Sequence, residues 1–208
     1  MSDSVWTQLV DILKDRGIAF DAGLSDAEAN RVESEFGFRF PPDLRDFLRA
    51  GLPVGAGFPN WRSESHESLR ERLTAPLEGV LFDVEQNGFW LDEWGARPES
   101  LEEAQAVVRR LVAEAPVLIP VYIHRMMPDR PYAAGNPVFS VHQTDIIRYG
   151  TDLRDYLIHE FLADKDVGVW PIPDSVRRID FWDIKRFLSV RWSRGYAVFD
   201  NRKGILPR

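Results

Sequence analysis

Apolar positions recur at helical spacing through the first fifty residues. Trp6, Leu9, Val10 and Leu13 fall on one face, and Gly17 follows where such a helix would stop. Ser25-Asp26-Ala27-Glu28 has the form of a capping box, in which the serine oxygen and the glutamate carboxylate each accept a backbone N–H left unpaired by the first turn. Ala29, Val32 and Phe36 then line one face as far as Gly37. Pro41-Pro42-Asp43 opens a third, shorter helix that carries Leu44, Phe47 and Leu48 and ends at Gly51.

The middle of the chain alternates more. GLPVGAGFPNWR, residues 51–62, is a loop by composition. Leu69 with Leu73 predicts a helix ended by Pro76, and Gly79 to Val84 with Phe89 to Leu91 predicts a hairpin about Asn87-Gly88. Pro98 opens a long helix bearing Leu101, Ala104, Val108 and Leu111, closed by Pro116. Three β-branched and aromatic runs follow, Val121 to His124, Val138 to Gln143 and Asp145 to Tyr149, separated by prolines, a glycine and an asparagine. Thr151 or Asp152 can cap a helix whose Leu153, Tyr156, Leu157 and Phe161 share a face. Trp170-Pro171-Ile172-Pro173 is an extended connector. The tail predicts a helix with Ile179, Phe181, Trp182, Phe187 and Leu188, then strands at Val190-Arg191-Trp192 and Tyr196 to Phe199. The fold class is α+β, helices first and then a mostly antiparallel or mixed sheet. No linker is long enough to divide the 208 residues, so one domain is expected, with a core over about 24–161 and a C-terminal elaboration over 162–208.

Charge sharpens this picture. Between Arg177 and Arg208 there are nine basic and three acidic residues, which leaves 17 basic against 30 acidic in residues 1–176. An acidic body disfavours nucleic acid and anionic membrane and steers basic partners toward itself; the plainer reading is solubility. The chain has no cysteine, which excludes disulfides and thiolate chemistry and suits a cytoplasmic protein. The first residues lack the pattern of a signal peptide, and no run is apolar enough to span a bilayer.

Candidate chemistry is sparse. His124, His142 and His159 are too far apart in sequence to form a local ligand pair, so neither a metal site nor a cofactor is expected. Ser140 and His142 would share a strand face, yet no nucleophile elbow or orienting carboxylate accompanies them. Asp92 and Glu93 supply carboxylates without a partner at a defined separation. The tryptophans carry more weight. Core burial is the commoner use of an indole, but Trp61, Trp90 and Trp94 stand at loop or turn signals where a ring can anchor a partner, and Trp61, in GFPNWR, has the most loop-like setting. Arg125 could grip a carboxylate of a partner, or pair within the fold with Asp129 or Asp145.

Leu24 to Gly51, LSDAEANRVESEFGFRFPPDLRDFLRAG, resembles the opening motif of the SUKH superfamily, the Smi/Knr-like domains, through Glu28, Glu35, Phe36, Gly37, Pro41, Leu44, Phe47 and Leu48. Later segments are similar to bacterial members in the same order. They are Phe89-Trp90, Trp94-Gly95 and Pro98, then Leu118-Ile119-Pro120, His124-Arg125, Gly135-Asn136-Pro137-Val138, Asp145-Ile146-Ile147 and Tyr149-Gly150, and finally Leu153 through Phe161. The Asn-Gly turn common after the Phe-Leu helix is replaced by Ala50-Gly51-Leu52-Pro53. The resemblance implies a non-enzymatic domain that binds another protein. Among bacteria this means an immunity protein that occupies a toxin domain, often a nuclease; a regulatory scaffold is the alternative, and a hydrolase using Ser140 and His142 or carboxylates a more distant one. The residues expected at the partner surface are Trp61, Trp90, Asp92, Glu93, Trp94 and Arg125.

Overall fold

The structure, a computed structural model, describes residues 5–162 and 176–182. The three N-terminal helices form where their caps and spacings place them, α1 at Val5–Asp15, α2 at Asp26–Phe36 and α3 at Pro42–Ala50. The capping box is closed in both directions, with Glu28 N–H donating to Ser25 Oγ at 3.2 Å and Ser25 N–H to Glu28 Oε2 at 2.8 Å. Gly37 ends α2 at φ 74°, a left-handed conformation in which a Cβ would be strained. Two short strands that composition had hidden, β1 at Ala19–Asp21 and β2 at Leu52–Val54, pair antiparallel beside these helices.

The largest departure from the sequence reading lies next. Residues 66–86 form one helix, α4 at His66–Gln86, which runs straight through Pro76; there is no hairpin at 79–91. Leu69, Pro76, Val80 and Val84 are all buried at spacings of seven, four and four, so one apolar stripe continues across the proline. The cost of the missing N–H is outweighed by burial along that stripe. Asn87 caps the helix rather than turning a hairpin. Gly79 lets α4 approach the sheet, since a Cβ there would lie 2.8 Å from the Cα of Gln143. One turn later Asp83, buried, accepts from Thr144 N–H at 3.0 Å and Thr144 Oγ1 at 2.5 Å, which fixes α4 to the same turn.

After α5 at Leu101–Glu114 comes an antiparallel four-stranded sheet, β3 at Leu118–Tyr122, β4 at Arg125–Pro128, β5 at Val138–His142 and β6 at Asp145–Gly150, in the order β3-β4-β5-β6. The α+β class and the antiparallel character agree with the sequence reading. β4 was not anticipated, because Met126 and Met127 lack the β-branched signature, and Ile123-His124 forms the β3–β4 turn rather than strand. The helix α6, Leu153–Leu162, packs back on β6.

Alternation along the strands sends side chains to two faces. Ile119, Val121, Met127 and Val138 join the larger core with α1, α2, α3 and α6. Leu118, Met126, Phe139, Val141 and Ile146 face the other way, against Ala115, Ile179 and Trp182, with Phe89, Leu91, Trp94, Val112 and Phe181 at its margin. Ile179 to Trp182 is not helical as expected; Asp180 to Trp182 is a turn, with Phe181 at φ 69°. The predicted connector at 170–173, the rest of that helix and the two tail strands lie outside the described residues.

Candidate partner-binding surface

Four of the expected surface residues, Trp90, Asp92, Glu93 and Trp94, belong to one loop, 88–97, between α4 and α5. Its base is fixed by the end of α4. Phe89 N–H donates to Asp83 O at 3.0 Å, and the Arg97 guanidinium donates to Val84 O at 2.9 Å and Gly88 O at 3.3 Å, satisfying carbonyls that the helix end leaves open. Its tip is a 3₁₀ turn, Asp92–Trp94, in which Trp94 N–H reaches Leu91 O and Gly95 N–H reaches Asp92 O. Trp90 Nε1–H closes the loop on Gly95 O at 2.8 Å, and Gly95 supplies the positive φ of 85° that the closure needs.

The rings form a continuous aromatic group. Trp90 meets Trp94 edge-to-face at 5.3 Å, Phe89 meets Trp94 at 5.6 Å, and Phe181 lies parallel to Trp94 at 6.4 Å. Both indoles are half-buried, while Asp92 and Glu93 between them are exposed. An apolar, hydrogen-bonded base with carboxylates at its tip can offer a partner aromatic contact area and charge from backbone already fixed in place.

The other two expected residues lie elsewhere. Trp61 is only 3% exposed and sits in the larger core, edge-on to Phe36, Phe38 and Phe40 at 5.4 to 6.4 Å; it is a core residue and not a surface anchor. The loop-like sequence around it was misleading because its neighbours come from 36–40, far away in sequence. Arg125 is largely buried on the opposite face of the sheet from the 88–97 loop. Its Nε donates to Glu160 at 3.3 Å, its Nη1 to Ser140 Oγ at 2.7 Å, and the guanidinium lies 3.7 Å over the Tyr149 ring. The carboxylate it takes is Glu160 of α6, whereas Asp129 pairs with Arg130 at 3.5 Å.

That network also decides how Ser140 is used. Ser140 and His142 share the face expected of them, but the serine oxygen accepts from Arg125, so it serves as a structural acceptor. His124 contacts the same guanidinium through Nε2, and burial, then Arg125 and His142, hold its pKa below the usual imidazole value, as an accepting nitrogen requires. Beneath them the Tyr156 hydroxyl is buried without a hydrogen-bond partner among the described residues, and burial pushes its pKa up. Among the described residues no three His, Cys, Asp or Glu side chains are grouped to hold a metal, and no helix is long and apolar enough to cross a membrane.

Sequence reasoning missed Arg97, which ties the loop to α4, and Phe181, whose ring lies parallel to that of Trp94. Arg97 acts on backbone carbonyls, which leave no sequence signal, and Phe181 reaches Trp94 from 87 positions away. No protein-family model matches the chain, and no curated protein or solved structure matches it.

Proposed function

We propose that this chain is a non-enzymatic, protein-binding domain of the SUKH kind, acting as an immunity protein that occupies and silences a toxin domain. The observation that carries the reading is the 88–97 loop, where two half-buried tryptophans and two exposed acidic residues are held by hydrogen bonds within the loop and to α4. Such a loop loses little conformational freedom on binding, and aromatic anchors beside carboxylates suit a partner that is basic and partly apolar. The acidic balance of residues 1–176 would speed encounter with that partner. The captive state of Ser140 favours binding over hydrolysis as the work of this domain.

The test is a pull-down with the intact chain from extract of its own organism, in a salt series. One toxin-like protein retained at high salt, and lost with Trp94→Ala, supports immunity through this loop. Retention that neither Trp94→Ala nor the pair Asp92→Asn and Glu93→Gln alters removes the loop as the contact surface. A set of diffuse, salt-labile proteins argues against immunity.

A further inference from the structure

Residues 176–182 cross the loop-covered face of the sheet as a strap fastened at both ends. Arg177 donates to Ala134 O at 3.0 Å and to Asn136 Oδ1 at 2.6 Å. Ile179 and Trp182 are each about 1% exposed, and Trp182 Nε1–H donates to Pro116 O at 2.6 Å. Between these anchors Phe181 is held at φ 69°, a conformation that bulky side chains rarely adopt and that persists where the surroundings over-determine it. In an extended segment consecutive side chains point to opposite sides. Here the rings of Phe181 and Trp182 meet edge-to-face at 4.7 Å, and Phe181 also lies parallel to Trp94.

We infer that Phe181 is a positioning residue for the 88–97 loop, and that the strap sets the orientation of the Trp94 ring at the loop's tip. The base of the loop is tied to α4 through Arg97, and the Trp94 ring packs both on the α4–α5 cluster of Val80, Val84, Ala104 and Val108 and on the cluster that the strap completes. Phe89 and Trp90 come from the same loop and rest on the α4–α5 cluster. Among the described residues, Phe181 is the ring in that group that belongs to another, independently anchored segment. Its consequence for binding rests on the reading of the loop as the contact surface; its consequence for the loop's own stability does not.

Hydrogen exchange separates the two. In Phe181→Ala the bonded tip amides of Trp94 and Gly95 are expected to exchange about fivefold faster, the loss of one aromatic pair, while the Phe89 amide at the base and the amides of β5 and β6 keep their wild-type rates. Phe181→Tyr keeps the ring and restores slow exchange; Phe181→Gly, which relieves the backbone but lacks the ring, behaves as the alanine variant. Tip amides unchanged in Phe181→Ala, or amides of β5 and β6 accelerated equally, would overturn the inference. A binding measurement with the captured toxin-like protein completes it: a loss restored by Phe181→Tyr supports both readings. Faster loop exchange with unaltered binding keeps the positioning role and removes the loop from the interface.

Discussion

The two faces of the four-stranded sheet are covered by different means. One lies under α6 and the N-terminal helices, whose backbones are satisfied internally and whose apolar stripes bury Phe40, Phe47, Trp61 and Tyr156 almost completely. The other lies under the end of α5, the 88–97 loop and the strap; loop and strap are tied by side-chain bonds from Arg97, Trp90, Arg177 and Trp182 and packed by a smaller set of buried residues. A helical cover is cooperative, because losing one contact exposes a whole stripe. A cover of loops can adjust locally while the sheet stays intact. Stability is therefore concentrated on the first face, and the second can carry a contact surface whose alteration leaves the sheet intact.

The largest effect expected from that difference is in tryptophan truncation. Trp61→Ala should cost about 3–5 kcal/mol, a large cavity in a helix-covered core, against about 1–2 kcal/mol for the half-buried Trp94. Urea unfolding of the two variants checks this, and equal losses would break the contrast between the faces. Asp83→Ala comes next, at about 2 kcal/mol, because the buried Thr144 N–H and hydroxyl lose their acceptor and α4 its tie to the β5–β6 turn. The same unfolding experiment measures it.

Acid sharpens the comparison through Glu28, whose pKa the Arg62 guanidinium, with Ser25, lowers from 4.5 to about 2. Because the folded value lies below the unfolded one, this contribution is complete above about pH 4.5 and is lost as pH falls toward 2. Asp43 and Asp129 act in the opposite sense, since burial raises both, and their protonation favours the folded state as pH falls. Replacing Arg62 with Met should flatten the acid-side loss, read from urea midpoints at pH 7, 5 and 3. The smallest effect is a gain. Tyr156→Phe removes a buried hydroxyl with no partner among the described residues and should raise stability by about 1 kcal/mol.

Local signals made much of this architecture legible. The caps at Ser25 and Gly37, the proline opening α3 and the stripes of α1 and α6 depend on neighbours in sequence, and they were read correctly; of the α5 stripe Ala104 and Val108 are buried, but Leu101 is exposed. Pro76 was read as a helix end because a proline removes one backbone donor; the stripe Leu69, Pro76, Val80, Val84 was the competing signal, and it won. Two of the expected partner-surface positions could not be resolved locally. Trp61 is buried by rings from 36–40, and Arg125 is engaged by Glu160, 35 positions on. Trp90, Asp92, Glu93 and Trp94 were legible as a group because one short loop contains them all.

The most direct measurement is a calorimetric titration of the captured toxin-like protein with wild type, Trp94→Ala and Tyr156→Phe, each first shown to be folded. A pre-organised contact surface on the loop-covered side predicts at least a tenfold loss of affinity for Trp94→Ala, about 1.4 kcal/mol or more, and no change for Tyr156→Phe on the helical side. Equal affinities for Trp94→Ala and wild type, or a loss confined to Tyr156→Phe, would contradict it.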